Sequence, residues 1–490
     1  MNFAHLFQHT LILLEMSSYL IKGGNVLLVN KKREVSFTNV DILVKDKRIS
    51  RLGSNLSVDG QVEIVDATGF IVTPGFIDPH RHVFQSQLRS VVGNHTLLDY
   101  CAHLLQGRMV FLDENDMYLS QVSGLAEAIN AGVTTVMDHS HAVTTAMRAQ
   151  KCIQATVESG IRSIYCAAPF ANPESLNPIA MPDLTVQHAK QIEMIKSLAE
   201  EKPFGGPQND GRVRLGLGFD TMHHVPREIA GDVLSFALNH DIRVTTHDVP
   251  RYNLPALKFL RDNNMPLPKL TLSHTCDPSP DEIAWVKQKQ IGIVSTPESE
   301  MAMSHGHPSA FDFHRAECRV GLGVDSPAIC SGDLFFPMRL TLQERRMREN
   351  TKYHDRGKLP DLIQAKTDEV LYMATLGGAK AIHMEDEIGS LEVGKLADIV
   401  LIRTDSPSMI ASVDYSTALV MHCMPSDVDS VMINGEWVKR AGKLLRVNWD
   451  ELTPKLRENR TLLESRWTNV DWDMNKADLK AIWGLKDVME

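Results

Sequence analysis

The chain alternates two hydrophobic rhythms. From residue 19 to 72, short runs with every second position apolar (YLIKGGNVLLVN, VDILVKDKRISRLG, QVEIVDATGFIVTPG) are broken by Gly-Gly, Asp-Lys-Arg and Ala-Thr-Gly. That period of two, punctuated by turn formers, predicts hairpin-linked strands. The same style returns late, in EIGSLEVGKLADIVLIRTD and DSVMINGEWVKRAGKLL. Between them, eight short apolar runs (GFIDPH, VTTVMDHSH, RSIYCAAP, RVRLGLGFD, IRVTTHD, LTLSHTC, IGIVST, RVGLGVDS) alternate with amphipathic helical stretches such as MYLSQVSGLAEAINAG.

Eight strand–helix repeats predict an α/β protein with a closed parallel (β/α)8 TIM-like barrel. A doubly wound open sheet would also alternate, but no G-x-G-x-x-G or P-loop follows any strand, so nothing supports a nucleotide fold. The expected organisation is an N-terminal extension over 1–16, a small β-sandwich domain from 17–72 plus 385–445, the barrel over 73–384, and a charged helical tail over 446–490 that packs on a neighbour or on the barrel wall.

The extension has a short apolar stretch, no basic flank and no small-residue cleavage site, so it does not read as a secretory signal. Translation could start at Met1 or at Met16. No apolar run reaches the length of a membrane span. A net charge of −10 without a basic block excludes a nucleic-acid or anionic-membrane binder. The 7 cysteines are scattered, with no C-x-x-C pair. The expected setting is the cytoplasm, with a small molecule as partner.

The chemistry concentrates at the carboxyl ends of the eight runs. His80 and His82 close the first; Asp138, His139 and His141 the second; Asp220 follows the fourth. His247 and Asp248 close the fifth, His274 the sixth, and Asp325 with Ser326 the eighth. In a β/α barrel those ends share one face. His80 and His82, two apart on a strand, project to one side and can reach one ion, while Arg81 projects to the other. Alone, an H-x-H pair is a weak signal and reads first as two satisfied polar groups near a turn. Ligand types at three further strand ends shift the balance toward a metal.

These residues carry a resemblance. The run PGFIDPHRHVFQSQLRS, with Pro74, Gly75, His80, His82, Gln85 and Arg89, resembles the opening strand of the amidohydrolase superfamily, in the branch of cytosine, guanine and adenosine-type deaminases and triazine hydrolases. His247, His274, the G-x-D-S of Gly323, Asp325 and Ser326, and the segments 374–381 and 389–398 fit the same pattern, so the resemblance spans about residues 20–445. It implies one divalent metal, Zn²⁺ or alternatively Fe²⁺, held by His80, His82, His247 and Asp325, with His274 facing the bound water. The ion would bring that water's pKa toward neutrality and supply the attacking hydroxide, and Asp325 would move the proton. Hydrolysis of a C–N bond in a small heterocycle follows, by deamination or by amide or lactam opening. A homodimer also rests on the resemblance.

Two departures matter. Deaminases of this branch carry H-x-x-E on the fifth strand; here the fourth position is Pro250, expected to face the pocket. The loop after strand seven offers Glu298 and Glu300 as replacement carboxylates or, equally, as acids at a helix N-terminus. No lysine ends the fourth strand, which favours one metal over two. Asp138, His139 and His141 could hold a second ion, but the reading preferred from sequence gives His139 and His141, with Gln85, Met222, Glu298, Glu300 and Ser326, to the substrate. A lyase or decarboxylase of the same superfamily and a non-catalytic scaffold are the alternatives.

Overall fold

The computed structural model describes residues 18–484; the proposed 1–16 extension lies outside them. Eight parallel strands form the barrel in chain order: β1 (Phe76–Arg81), β2 (Val133–Ser140), β3 (Arg162–Ala167), β4 (Val213–Gly218), β5 (Arg243–Asp248), β6 (Leu270–His274), β7 (Gly292–Ser295) and β8 (Arg319–Leu322). Each falls on one of the apolar runs. A parallel bridge between Arg81 and Asp325 closes the ring, where His82 N–H donates to the Asp325 carbonyl and Asp325 N–H to that of His80, both at 2.9 Å. The closure therefore brings the first and last ligand-bearing strands side by side.

The strands are buried on both faces, as a barrel wrapped in helices requires. Arg81 projects away from the barrel axis, as alternation requires. It is fully buried and pairs with Asp78 at 3.4 Å and with Glu127 at 2.8 Å on the helix Glu114–Asn130. Glu127 thus serves the scaffold.

The two chain ends build the flanking sandwich. Four N-terminal strands form one sheet; in the other, of seven strands, Ile399–Arg403 pairs antiparallel with Phe70–Pro74, Leu401 opposite Val72. Ile21, Ile42 and Val44 of the first sheet pack on Val26, Val72, Ile399 and Met432 of the second. Since Phe70–Pro74 leads directly into β1, the sandwich anchors the strand that carries His80 and His82.

The tail helices pack against the barrel. In Trp449–Arg466, Leu452 joins Tyr118, Leu119 and Val122, and Arg466 pairs with Asp113 at 2.9 Å. In the last helix, Trp472–Ile482, the Asn475 side chain donates to the Ala102 carbonyl at 2.6 Å. All seven cysteines are unpaired. Among the described residues no helix is long and apolar enough to cross a membrane.

Candidate active site

At the carboxyl face of the barrel, side chains from β1, β5 and β8 converge. His80, His82, His247 and Asp325 place one ligand atom each within 4.8 Å of one another. The edges of this group are 3.4 Å from His80 Nε2 to Asp325 Oδ1, 3.2 Å from His82 Nε2 to the same oxygen, and 3.3 Å between the Nε2 atoms of His82 and His247. An ion with bonds of about 2.0–2.1 Å in tetrahedral geometry separates its donors by about 3.3 Å. Neither ring nitrogen of the fully buried His80 makes a hydrogen bond. A buried imidazole without partners, aimed at a carboxylate and two further imidazoles, fits a metal ligand.

The neighbours fix the tautomers. His82 Nδ1 lies 2.7 Å from the His139 carbonyl, and His247 Nδ1 lies 2.9 Å from Asp220 Oδ1. A carbonyl and a carboxylate both require an N–H there, which turns each Nε2 lone pair toward the metal position. Burial holds His80 well below the ordinary imidazole pKa, so it stays neutral, as a ligand must. For Asp325 burial works in the opposite sense, but the adjacent His80 and His82 rings and the facing His274 imidazole keep its carboxyl well below the usual range. The backbone is strained at the site: His274 (φ 79°) and Asp325 (φ 70°) sit in the left-handed region, at a cost of about 1–3 kcal/mol each that the closed barrel sustains.

His274 is also held. Its Nδ1 lies 2.9 Å from the Thr296 hydroxyl and 3.7 Å from Glu300. Burial lowers its pKa to about 3. Glu300 is fully buried, accepts from Thr296 N–H and from the Ser295 hydroxyl at 2.7 Å each, and is pushed by burial up to about 8.

A cavity of about 520 Å³ opens above these groups, within the size range of small-molecule sites. His82, His141, Asp220, His247, His274 and Asp325 form its polar floor, and Ser326 lies beside them. Leu97, Leu105, Phe170, Met181 and Leu254 make apolar walls, and Leu479, Ile482 and Trp483 of the tail contribute a roof. No Arg or Lys is among the lining residues; Arg251 and Arg315 pair instead with Asp277 and Glu349 near the surface.

Several expected substrate contacts lie elsewhere. Gln85, His139, Met222, Glu298 and Glu300 are not among the residues lining the cavity. Gln85 instead ties the Tyr100 hydroxyl, at 2.7 Å, to the Ser326 hydroxyl, so it positions two residues that do line it. Met222 is core. Glu298 turns outward to accept from Ser331 N–H at 2.9 Å, and Glu300 sits behind His274. Pro250 does not face the pocket: it is exposed and opens a short turn, Pro250–Tyr252. Asp248 points away from the metal position, accepting from Leu257 N–H at 3.0 Å. Asp138 accepts from the Gln121 side chain and from Val83 N–H, outside the ligand cluster.

The residues that sequence reasoning passed over are Asp220, Tyr100, Phe170 and the tail trio. Asp220 was visible at the end of the fourth strand, but nothing marked it as the partner of three histidines. The tail's reach over the barrel mouth has no local signal.

The amidohydrolase family model matches residues 71–438. A 5'-deoxyadenosine deaminase from Methanosphaera stadtmanae is 24% identical over 459 residues, 89% of this chain and 97% of that protein. A 5-methylthioadenosine/S-adenosylhomocysteine deaminase from Desulforudis audaxviator is 25% identical over 442 residues, 87% and 95% of the two chains. Among solved structures, a zinc-bound adenosine deaminase from Xanthomonas campestris superposes with a TM-score of 0.77 at 18% identity, over 92% of this chain and 99% of the other. An atrazine chlorohydrolase from Arthrobacter aurescens, complexed with zinc, gives 0.76 at 20% identity, over 91% and 99%. With three quarters of its length matched by the family model and its strand-end histidines gathered at the barrel mouth, this chain belongs to the amidohydrolase family and is a hydrolase of carbon–nitrogen bonds other than peptide bonds.

Proposed function

We propose that the protein hydrolyses the exocyclic amine of a neutral, heteroaromatic small molecule that carries an apolar substituent, with adenosine-type nucleosides as the first class to test. The observation that carries this reading is the convergence of His80, His82, His247 and Asp325 beside His274 on the floor of a cavity walled by Leu97, Leu105, Phe170, Met181 and Leu254. The curated relatives are named as deaminases of adenosine derivatives, and the lack of a lining cation suits an uncharged ligand. It weighs against the decarboxylase alternative, whose acidic substrate would need a counter-charge.

In this reading the four residues would hold one Zn²⁺, which when bound would supply Lewis acidity and bring the pKa of water near neutrality. Asp325 takes the proton of the attacking water. His274, neutral and oriented by Thr296, hydrogen-bonds the reacting centre. The apolar walls seat the substituent and exclude bulk water. A cytoplasmic homodimer belongs to the same proposal, as do the domain boundaries expected from sequence.

One observation favours a second reading, amide or lactam opening. Deaminases of this branch use a glutamate at the position of Pro250, which is exposed here, and Asp220 and Asp325 are the two carboxylates lining the cavity. The test is mass analysis of a panel of adenosine derivatives and cyclic amides incubated with metal-loaded protein. Replacement of the amine by oxygen with release of ammonia supports the first reading. Addition of water that opens a ring or splits the molecule supports the second.

A further inference from the structure

A second group of ligand-type side chains lies beside the first and shares His247 with it. His139 and His141 leave β2, Asp220 follows β4, and with His247 they place one ligand atom each within 4.8 Å of one another. Asp220 Oδ2 stands 3.0 Å from His139 Nε2 and 2.9 Å from His141 Nε2. Its other oxygen, Oδ1, is 2.9 Å from His247 Nδ1.

Three features set this group apart from an ordinary buried hydrogen-bond network. His139 is fully buried, yet neither of its ring nitrogens makes a hydrogen bond, although Nε2 lies so close to the carboxylate. A buried polar ring without partners is costly; a cation seated between Nε2 and Oδ2 removes that cost, since a lone pair needs no hydrogen-bond line. The separations of 2.9–3.0 Å match neighbouring donors around an ion with bonds of about 2.1 Å at right angles, for which the expected edge is about 3.0 Å. Finally, the space is kept by the backbone: a Cβ on Gly218 would come 2.7 Å from His139 Nε2 and 2.9 Å from Cδ2. A glycine is required at that place on β4 for the His139 ring to stand where it does.

We propose that His139, His141 and Asp220 form a second divalent-cation site, with two imidazoles and one carboxylate as its donors. The cation is a borderline transition ion such as Zn²⁺ or Co²⁺, because nitrogen donors outnumber oxygen. His247 lies between the two sites: its Nε2 faces His82 and its Nδ1 faces Asp220. Filling the second site therefore acts on the first through Asp220, which holds His247 in place. His141 and Asp220 line the cavity floor, so a second ion there meets the substrate side of the pocket.

The test is a Co²⁺ titration of the metal-stripped full chain, followed by visible absorption and by metal analysis after gel filtration. The wild type is expected to bind two equivalents per chain. His141→Gln is expected to bind one, with the remaining ion displaced by Asp325→Asn. Conversely, Asp325→Asn with His82→Ala in an otherwise wild-type chain should lose one ion and keep the one that depends on His141. Gly218→Ala, which keeps every donor residue but crowds the His139 ring, should weaken one ion at least tenfold while the far-ultraviolet spectrum stays that of the wild type. A single equivalent in the folded wild type overturns the proposal, whether or not His141→Gln folds. So does a second equivalent that His141→Gln and Gly218→Ala leave untouched.

Discussion

Replacing Glu300 by Gln isolates the electrostatics behind His274. The two side chains have nearly the same shape. A Gln carbonyl can accept from Thr296 N–H as Oε1 does, and its amide can donate to the Ser295 hydroxyl, as a protonated carboxyl would. What changes is the proton. Burial raises the Glu300 pKa from its ordinary 4.5 to about 8. The folded protein therefore holds this proton across a range in which the unfolded chain has released it. Stability tied to the group is fully present below about pH 4.5 and is lost as pH rises through 8. The steepest slope is about 1.4 kcal/mol per pH unit, and from pH 5 to pH 8 the loss sums to about 3 kcal/mol. Because Glu300 is wholly buried, no solvent screening reduces this figure. Glu300→Gln removes the effect, so the variant should gain on the wild type by that amount over that interval. Urea unfolding of both proteins from pH 5 to pH 9, at matched metal content, measures it. A stability difference that stays flat with pH, or that moves in favour of the wild type as pH rises, refutes the assignment of a neutral Glu300 behind His274.

Other expectations follow from the same geometry. His82→Ala and Asp325→Asn should each abolish turnover, and the first should also lose the ion it shares with His80, as metal analysis will show; turnover retained in both excludes this floor as the reaction centre. Leu479→Ala removes apolar surface from the roof of the cavity, which is worth about 1–2 kcal/mol. It should raise KM by about five- to thirtyfold for substrates with an apolar substituent and leave those without one unchanged. Gly292→Ala would drive a Cβ to 1.9 Å from the Ala381 carbonyl oxygen. The backbone must shift at a cost of about 1–3 kcal/mol, seen as a lower thermal midpoint with metal content preserved.

Much of the architecture is legible in the chain because barrel strands are short, buried on both faces and separated by helices, so each appears as an apolar run with a polar end. That both chain ends join one β unit is legible too, since they share the alternating pattern, whereas the pairing of Ile399–Arg403 with Phe70–Pro74 is set by the fold. The metal floor is legible where ligand types end strands, as at His80, His82, His247 and Asp325. Side-chain direction is the harder part. Glu298 and Glu300 follow the same strand and look alike in sequence, but the helix Pro297–Ala302 turns one toward Ser331 and the other in behind His274. Pro250 turns outward because the chain leaves β5 into a tight turn instead of continuing the strand. Asp220 is an ordinary acid in sequence; its three histidine neighbours come from β2 and β5, and only barrel closure brings them together. The cavity roof comes from residues 479–483, beyond the span of the family model, where helical amphipathicity shows a buried face without saying what it covers.

The reaction assigned to this site is a metal-dependent attack of water on a carbon–nitrogen bond. It is tested most directly by incubating metal-loaded protein with a panel of adenosine derivatives in ¹⁸O-labelled water, alongside the Asp325→Asn variant. Hydrolytic deamination gives product in which labelled oxygen replaces the amine, with one equivalent of ammonia, in the wild type alone. Unlabelled product, release of carbon dioxide, or equal turnover by the Asp325→Asn variant would contradict it.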